Sequence, residues 1–226
     1  MSKPLRIALV GATGLIGSRL IHASLGRSDF RIIGIARREA PLPKGARMEL
    51  LVADPANWGD AIAAASANVL VCALGTTWRS AGQDEAAFRA VDQHLVLACA
   101  KAAKAAGIRQ MIVISSVGAD PMAKNFYLRV KGETDQALGK IGMPRLDILR
   151  PGLLRGPRGG ERRIGERAAI LASSFTDVLL HGEYRKYRSI KADVIAQAII
   201  GLTREKAAGR FVFEHDAILR AARRAG

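Results

Sequence analysis

The apolar run RIALV, residues 6–10, passes without a spacer into GATGLIG, residues 11–17, and from there into a helical pattern. A glycine turn set between a buried strand and a helix has few structural solutions. It lets backbone approach a pyrophosphate while the helix N-terminus presents free N–H groups and a positive dipole. Gly11 suits the tight turn, Gly14 the close approach and Gly17 the packing of helix on strand, with Thr13, Leu15 and Ile16 completing the loop. A bare glycine pattern says little, but its place between first strand and first helix gives it force. The spacing predicts a dinucleotide site, a purely structural turn being the alternative.

Short apolar runs then alternate with longer helical stretches. Strands are expected at 6–10, 30–36, 48–52, 68–74, 110–115 and 145–150, and helices at about 14–27, 57–65, 84–106 and 126–141. Near-continuous apolar strands separated by helices signal βαβ units and a parallel sheet covered on both faces. We therefore expect a doubly wound parallel α/β (Rossmann) fold, one domain over residues 1–226. After Pro151 the texture changes. LRGPRGGERR reads as a loop and ERAAILASSF as a helix. KYRSI (186–190) reads as a strand, ADVIAQAIIGL as a helix, and RFVF (210–213) as a strand before a last helix. Residues 151–226 are expected to form a small substrate-side α/β region packed on the sheet.

The second strand ends IGIARRE. An NAD site usually places an acidic residue there for the ribose 2′-hydroxyl. Ala36 stands at that position, and Arg37 and Arg38 follow, with guanidinium groups suited to a 2′-phosphate. NADP(H) is the preferred expectation, while Glu39 leaves NAD(H) open.

Chemistry is expected where MIVISSVGAD (111–120) leads into NFYLRVKGE (125–133). Residues i and i+4 share a helix face, so Tyr127 and Lys131 can address one site. A nearby ammonium favours phenolate, which fits the phenol for proton exchange with a substrate oxygen. A hydroxyl from Ser115 or Ser116 would fix a carbonyl and stabilise developing charge. Tyr-x-x-x-Lys alone is an ordinary amphipathic turn. It gains meaning from the glycine turn, the strand alternation and the Ser-Ser upstream.

This ordered set, with GxxGxxG spacing, resembles the short-chain dehydrogenase/reductase superfamily in its extended and atypical branches. LGTT (74–77), SSVGAD (115–120), NFYLRVKGE and LRPG together resemble the Tat-interacting-protein-like group of atypical members, over roughly residues 5–155. The resemblance implies an NADPH-binding Rossmann domain with Ser115, Tyr127 and Lys131 as catalytic set; alignment on extended members would place the hydroxyl nearer Val117. It further implies that Asp54 contacts the adenine and that Leu74, Gly75 and Thr76 line the cofactor by backbone. Lys131 would hold the nicotinamide ribose, and the turn at Pro151 would close over the nicotinamide. The expected function is an NADP(H)-dependent oxidoreductase acting on a small carbonyl or hydroxyl compound. The alternative is an NADP(H)-binding regulator or redox sensor that turns over little and works through a protein partner.

The net charge of +15 raises nucleic acid as a partner, but the excess is spread along the chain and aromatics are 5%. That disfavours nucleic acid, and a small-molecule substrate is the expected partner. The histidines show no metal-ligand spacing, so no metal is expected. Cys72 and Cys99 sit in apolar runs and read as buried reduced thiols. With no signal-like start and no membrane-length apolar run, we expect a cytoplasmic protein, monomeric or homodimeric. Trp78 in GTTWRSAGQ either lines a substrate pocket or packs under its loop.

Overall fold

Successive residues of the first strand, β1 (Leu5–Val10), point into two different cores. Ile7 and Leu9 join one apolar cluster, and Ala8 and Val10 the other. The same division runs through β4 (Val69–Cys72) and β5 (Gln110–Ile114), so the sheet is covered on both faces. In the computed structural model, which describes residues 3–39, 41–46, 48–156 and 180–226, these strands belong to a seven-stranded parallel sheet. Its remaining members are β2 (Phe30–Ala36), β3 (Glu49–Val52), β6 (Arg145–Leu149) and β9 (Gly209–Phe213), in the order β3-β2-β1-β4-β5-β6-β9. A separate two-stranded parallel pair joins β7 (Leu154–Arg155) to β8 (Ile190–Lys191).

Helix α1 (Leu15–Ala23) lies on one face, with α6 (Ala192–Leu202) and α7 (His215–Ala222) completing that layer. The opposite face is covered by α2 (Trp58–Ala64), α4 (Val96–Ala105) and α5 (Phe126–Ile141). Strand order reverses between β1 and β4, which opens a crevice at their carboxyl ends, where ligands bind in such sheets. The C-terminal region is built into this frame: β9 pairs with β6, and α6 packs on α1.

Two expectations change, and a third cannot be compared. The helix expected over 84–106 is not continuous. It comprises α3 (Glu85–Arg89), a π-helical turn (Ala90–Leu95) and then α4. Asp92 is the buried residue of that turn, and π-helical turns are frequent at functional sites. KYRSI does not form the expected strand: Gly182–Tyr187 is a 3-10 turn, and only Ile190 of that segment enters β8. Gly152 makes room for this turn, since a Cβ there would lie 2.4 Å from the Arg188 carbonyl oxygen. The helix expected at ERAAILASSF falls outside the described residues.

Candidate active site

The glycine turn has the form its sequence requires. Gly11 holds φ +87°, and a Cβ on it would lie 2.6 Å from the Ala73 carbonyl oxygen at the end of β4. A Cβ on Gly17 would lie 2.2 Å from the Gly11 carbonyl oxygen, so only glycine lets α1 pack this tightly on its own entry loop. At the helix start Gly14 provides no side-chain cap, and no acidic residue occupies the first turn. The N–H groups there are left to an anion. The cradle fits a dinucleotide pyrophosphate.

A cavity of 560 Å³ opens from this turn along the carboxyl ends of β1, β4 and β5. Gly14, Leu15 and Ile16 line one side, and the backbone run Leu74–Thr76 lines the next. Ser115, Tyr127 and Lys131 come into the same cavity from β5 and α5. Thr13 faces a different cavity of 380 Å³ beside Pro41–Pro43.

Helix α5 begins where the sequence predicts, because the Asn125 side chain caps it by accepting from the Leu128 N–H at 3.1 Å. It ends at Gly142 in the left-handed conformation. Tyr127, Lys131 and Asp135 follow one another at four-residue spacing along a single face. Tyr127 is half-buried, with its ring 5.8 Å from that of buried Phe88. Lys131 and Asp135 are buried.

Two acidic residues that sequence reasoning missed organise these groups. Asp92, fully buried, places Oδ1 2.7 Å from the Lys131 ammonium, while Oδ2 accepts the Thr76 N–H at 2.7 Å. Burial alone would lower the Lys131 pKa. The charges of Asp92, Tyr127 and Asp135 outweigh it and hold the group above its ordinary value. Lys131 is therefore an ammonium, but its field is largely answered by Asp92. Asp135 accepts the Ser115 hydroxyl at 2.9 Å, and the Arg150 Nε donates to the same oxygen at 2.9 Å. Burial raises the Asp135 pKa, against Arg150, Ser115 and Lys131, which lower it. A carboxylate held by a guanidinium accepts only, so Ser115 spends its one proton on Asp135. In this arrangement the Ser115 hydroxyl presents its lone pairs, not its proton, to the cavity.

The remaining expected residues divide clearly. Ser116 turns its hydroxyl to the Val117 carbonyl at 3.3 Å. The Pro151 carbonyl accepts the Val117 N–H at 3.0 Å, which keeps the ends of β5 and β6 together. Arg37 and Arg38 are exposed just beyond β2, beside the strand that carries the glycine turn. Asp54 is exposed and caps the turn Pro55–Asn57 through the Ala56 N–H. Both cysteines are free and buried. Among the described residues no His/Cys/Asp/Glu cluster has metal-binding geometry, and no helix is long and apolar enough to cross a membrane.

Residues 11–177 match the NAD(P)H-binding family. The chain is 30% identical over 203 residues to protein fmp52, mitochondrial, of Aspergillus niger, covering 86% of this chain and 85% of that protein. It is 36% identical over 152 residues to protein FMP52, mitochondrial, of Eremothecium gossypii, covering 66% of each. Among solved structures, MoeE5 in complex with UDP-glucuronic acid and NAD superposes with TM-score 0.69 at 14% identity, covering 92% of this chain and 75% of that one. UDP-glucuronic acid 4-epimerase from Bacillus cereus in complex with NAD gives 0.67 at 16% identity, covering 93% and 78%. At such identities these two likenesses show the fold alone. The expectation of a cytoplasmic protein is corrected, since these relatives are named as mitochondrial.

Proposed function

The chain belongs to the NAD(P)H-binding family as an atypical short-chain dehydrogenase/reductase, and from that premise we propose an NADP(H)-dependent oxidoreductase acting on a small carbonyl or hydroxyl compound. One observation carries the proposal: Ser115, Tyr127 and Lys131 open onto the cavity that begins at the glycine turn. The cofactor, when bound, supplies or accepts a hydride at the substrate carbon. Tyr127 gives the substrate oxygen a proton in reduction and takes it back in oxidation. Lys131, charged and fixed by Asp92, orients the groups around Tyr127. Ser115 offers an acceptor oxygen to a hydroxyl in the cavity. Arg37, with Arg38 beside it, supports the choice of NADP(H), because Ala36 stands where an NAD site usually places its acidic residue, and Glu39 is the nearest carboxylate.

NADPH oxidation over a panel of small aldehydes and ketones tests this reading. Tyr127→Phe is expected to lower kcat by about 10²-fold or more with NADPH affinity retained. A substrate reduced equally fast by that variant removes Tyr127 from the chemistry. A second reading, a cofactor-binding sensor with little turnover, is favoured by one feature: Ser115 and Lys131 both engage buried carboxylates rather than pointing free into the cavity. Tight NADPH binding without turnover on the whole panel would select it.

A further inference from the structure

Beyond Tyr127 the cavity has an aromatic wall. Trp78 lies on the loop after β4 and lines the same cavity as the glycine turn. Its side chain is left 38% exposed at the cavity wall. Part of its ring is packed: it meets Phe126 edge-on at 5.1 Å and lies 6.4 Å from Phe88. Phe88 in turn touches the Tyr127 ring. Trp78 is thus held by the same aromatic cluster that positions the phenol, and the rest of its surface is left to a ligand.

The polar groups around this wall are already engaged. The Thr77 and Ser80 hydroxyls bond to one another at 2.7 Å, and the Ser80 N–H donates to Thr77 Oγ1 at 3.0 Å. Among the described residues the charged members of the lining are Lys131 and Asp92, and they pair with each other. Leu154 adds apolar surface from β7. Such a wall offers a flat apolar face and no spare charge, and an anionic group there would lose its water without gaining a counter-ion.

We propose that Trp78 makes this a site for a flat, uncharged aromatic carbonyl or alcohol, stacked on the indole with its oxygen at Tyr127. This deepens, and rests on, the oxidoreductase reading above. The ring recognition comes from offset or edge contacts between π systems, and a saturated ring of the same size lacks them. A cavity of 560 Å³ beginning at the glycine turn has space for a nicotinamide and one small ring beside Tyr127.

The test compares benzaldehyde, cyclohexanecarbaldehyde and 4-carboxybenzaldehyde as NADPH-dependent substrates of the wild type, Trp78→Ala and Trp78→Phe. The expected result is a preference of about tenfold in kcat/KM for benzaldehyde over each competitor, carried by KM. The preference over the saturated aldehyde should collapse in Trp78→Ala and survive in Trp78→Phe, while the preference over the carboxylated one should persist in both. A binding arm separates this inference from the reading it rests on. Trp58 is buried and Trp78 exposed, so a Trp58→Phe background isolates Trp78 emission. In the NADP+-loaded protein, benzaldehyde should quench that emission saturably and cyclohexanecarbaldehyde should not. Saturable quenching without turnover of any aldehyde keeps the stacking site and defeats the oxidoreductase reading. Preference for the saturated or carboxylated aldehyde, an aromatic preference unchanged in Trp78→Ala, or neither turnover nor saturable quenching overturns the inference.

Discussion

The Lys131 ammonium lies 2.7 Å from Asp92 Oδ1, with only 7% and 0% of the two side chains exposed. Asp92 comes from the π-helical turn and Lys131 from α5, so this ion pair joins two helices beneath the cavity. Its second oxygen holds the Thr76 N–H, which ties the loop after β4 to the same point.

Breaking that pair from one side leaves a buried charge unanswered, which costs about 3–5 kcal/mol. Asp92→Ala should lose stability on that scale in urea unfolding. Asp92→Asn should lose less, because the amide oxygen still accepts from Thr76. Adding Lys131→Met to Asp92→Ala should restore part of the loss, since the stranded charge is then gone. A loss below about 1 kcal/mol for Asp92→Ala would show the pair to be dispensable. The pH dependence has a definite sign. The folded Lys131 pKa lies above its ordinary 10.5, so its contribution is complete below that pH. It fades as pH rises through the folded value.

Ser115 gives a second prediction. An oxyanion donor is worth about 10²–10³ in kcat. Ser115 donates to Asp135 instead, so Ser115→Ala should cost roughly tenfold or less in carbonyl reduction, well short of Tyr127→Phe. Asp135→Ala removes the acceptor and frees the serine proton to turn towards the cavity, and the rate should gain. Steady-state rates in both directions decide it. A loss above a hundredfold for Ser115→Ala would restore the oxyanion role.

Arg37 is the third. A charge-assisted hydrogen bond contributes about 1.5–3 kcal/mol, or roughly 10- to 100-fold in affinity. Arg37→Ala should weaken NADPH binding by that factor and leave NADH unchanged, as read by cofactor fluorescence titration. Equal losses for both cofactors would mean that the arginine does not meet the 2′-phosphate.

The sequence made the two ends of the site legible unequally. The glycine turn could be read because its three glycines answer steric demands that no other residue meets. Helix α5 could be read to its ends because Asn125 and Gly142 cap it. Asp92 escaped because a single carboxylate within a helical stretch carries no motif of its own. Yet a signal was there: Phe88, Asp92 and Val96 recur at four-residue spacing, so the carboxylate lies on the buried stripe. Asp135 carried the same signal, four residues beyond Lys131. The π-helical turn has no composition of its own and arises from packing. Trp78 turned out to satisfy both readings offered for it, packing on Phe126 and lining the cavity.

Burial, not reactivity, governs the thiols. It pushes Cys72 up to about 11 and Cys99 higher still, from an ordinary 9.0. Both are therefore protonated and sheltered at neutral pH. Ellman's reagent should find neither thiol in the native protein and both after denaturation. Stability from keeping them protonated is complete below pH 9.0 and is lost as pH rises through the folded values. Rapid labelling of the folded protein at pH 8 would contradict this burial.

The last prediction concerns Gly132, which follows Lys131 directly. A Cβ there would lie 2.2 Å from the Asp120 carbonyl carbon and 2.3 Å from the Pro121 nitrogen. Both contacts are backbone, so no side chain can move aside to relieve them. Gly132 thus lets the loop after β5 lie flat on α5, and that loop carries Ser115 towards Tyr127. In an isolated helix Gly→Ala stabilises by about 1 kcal/mol. Here the steric term should reverse the sign, and Gly132→Ala should lower both the urea midpoint and kcat. Gly139, further along the same helix, meets only the Arg210 side chain, its nearest atom 3.2 Å away, which can swing clear. Gly139→Ala should therefore be neutral or stabilising with full activity. If the two variants behave alike, the close approach at Gly132 does not set the spacing of the site.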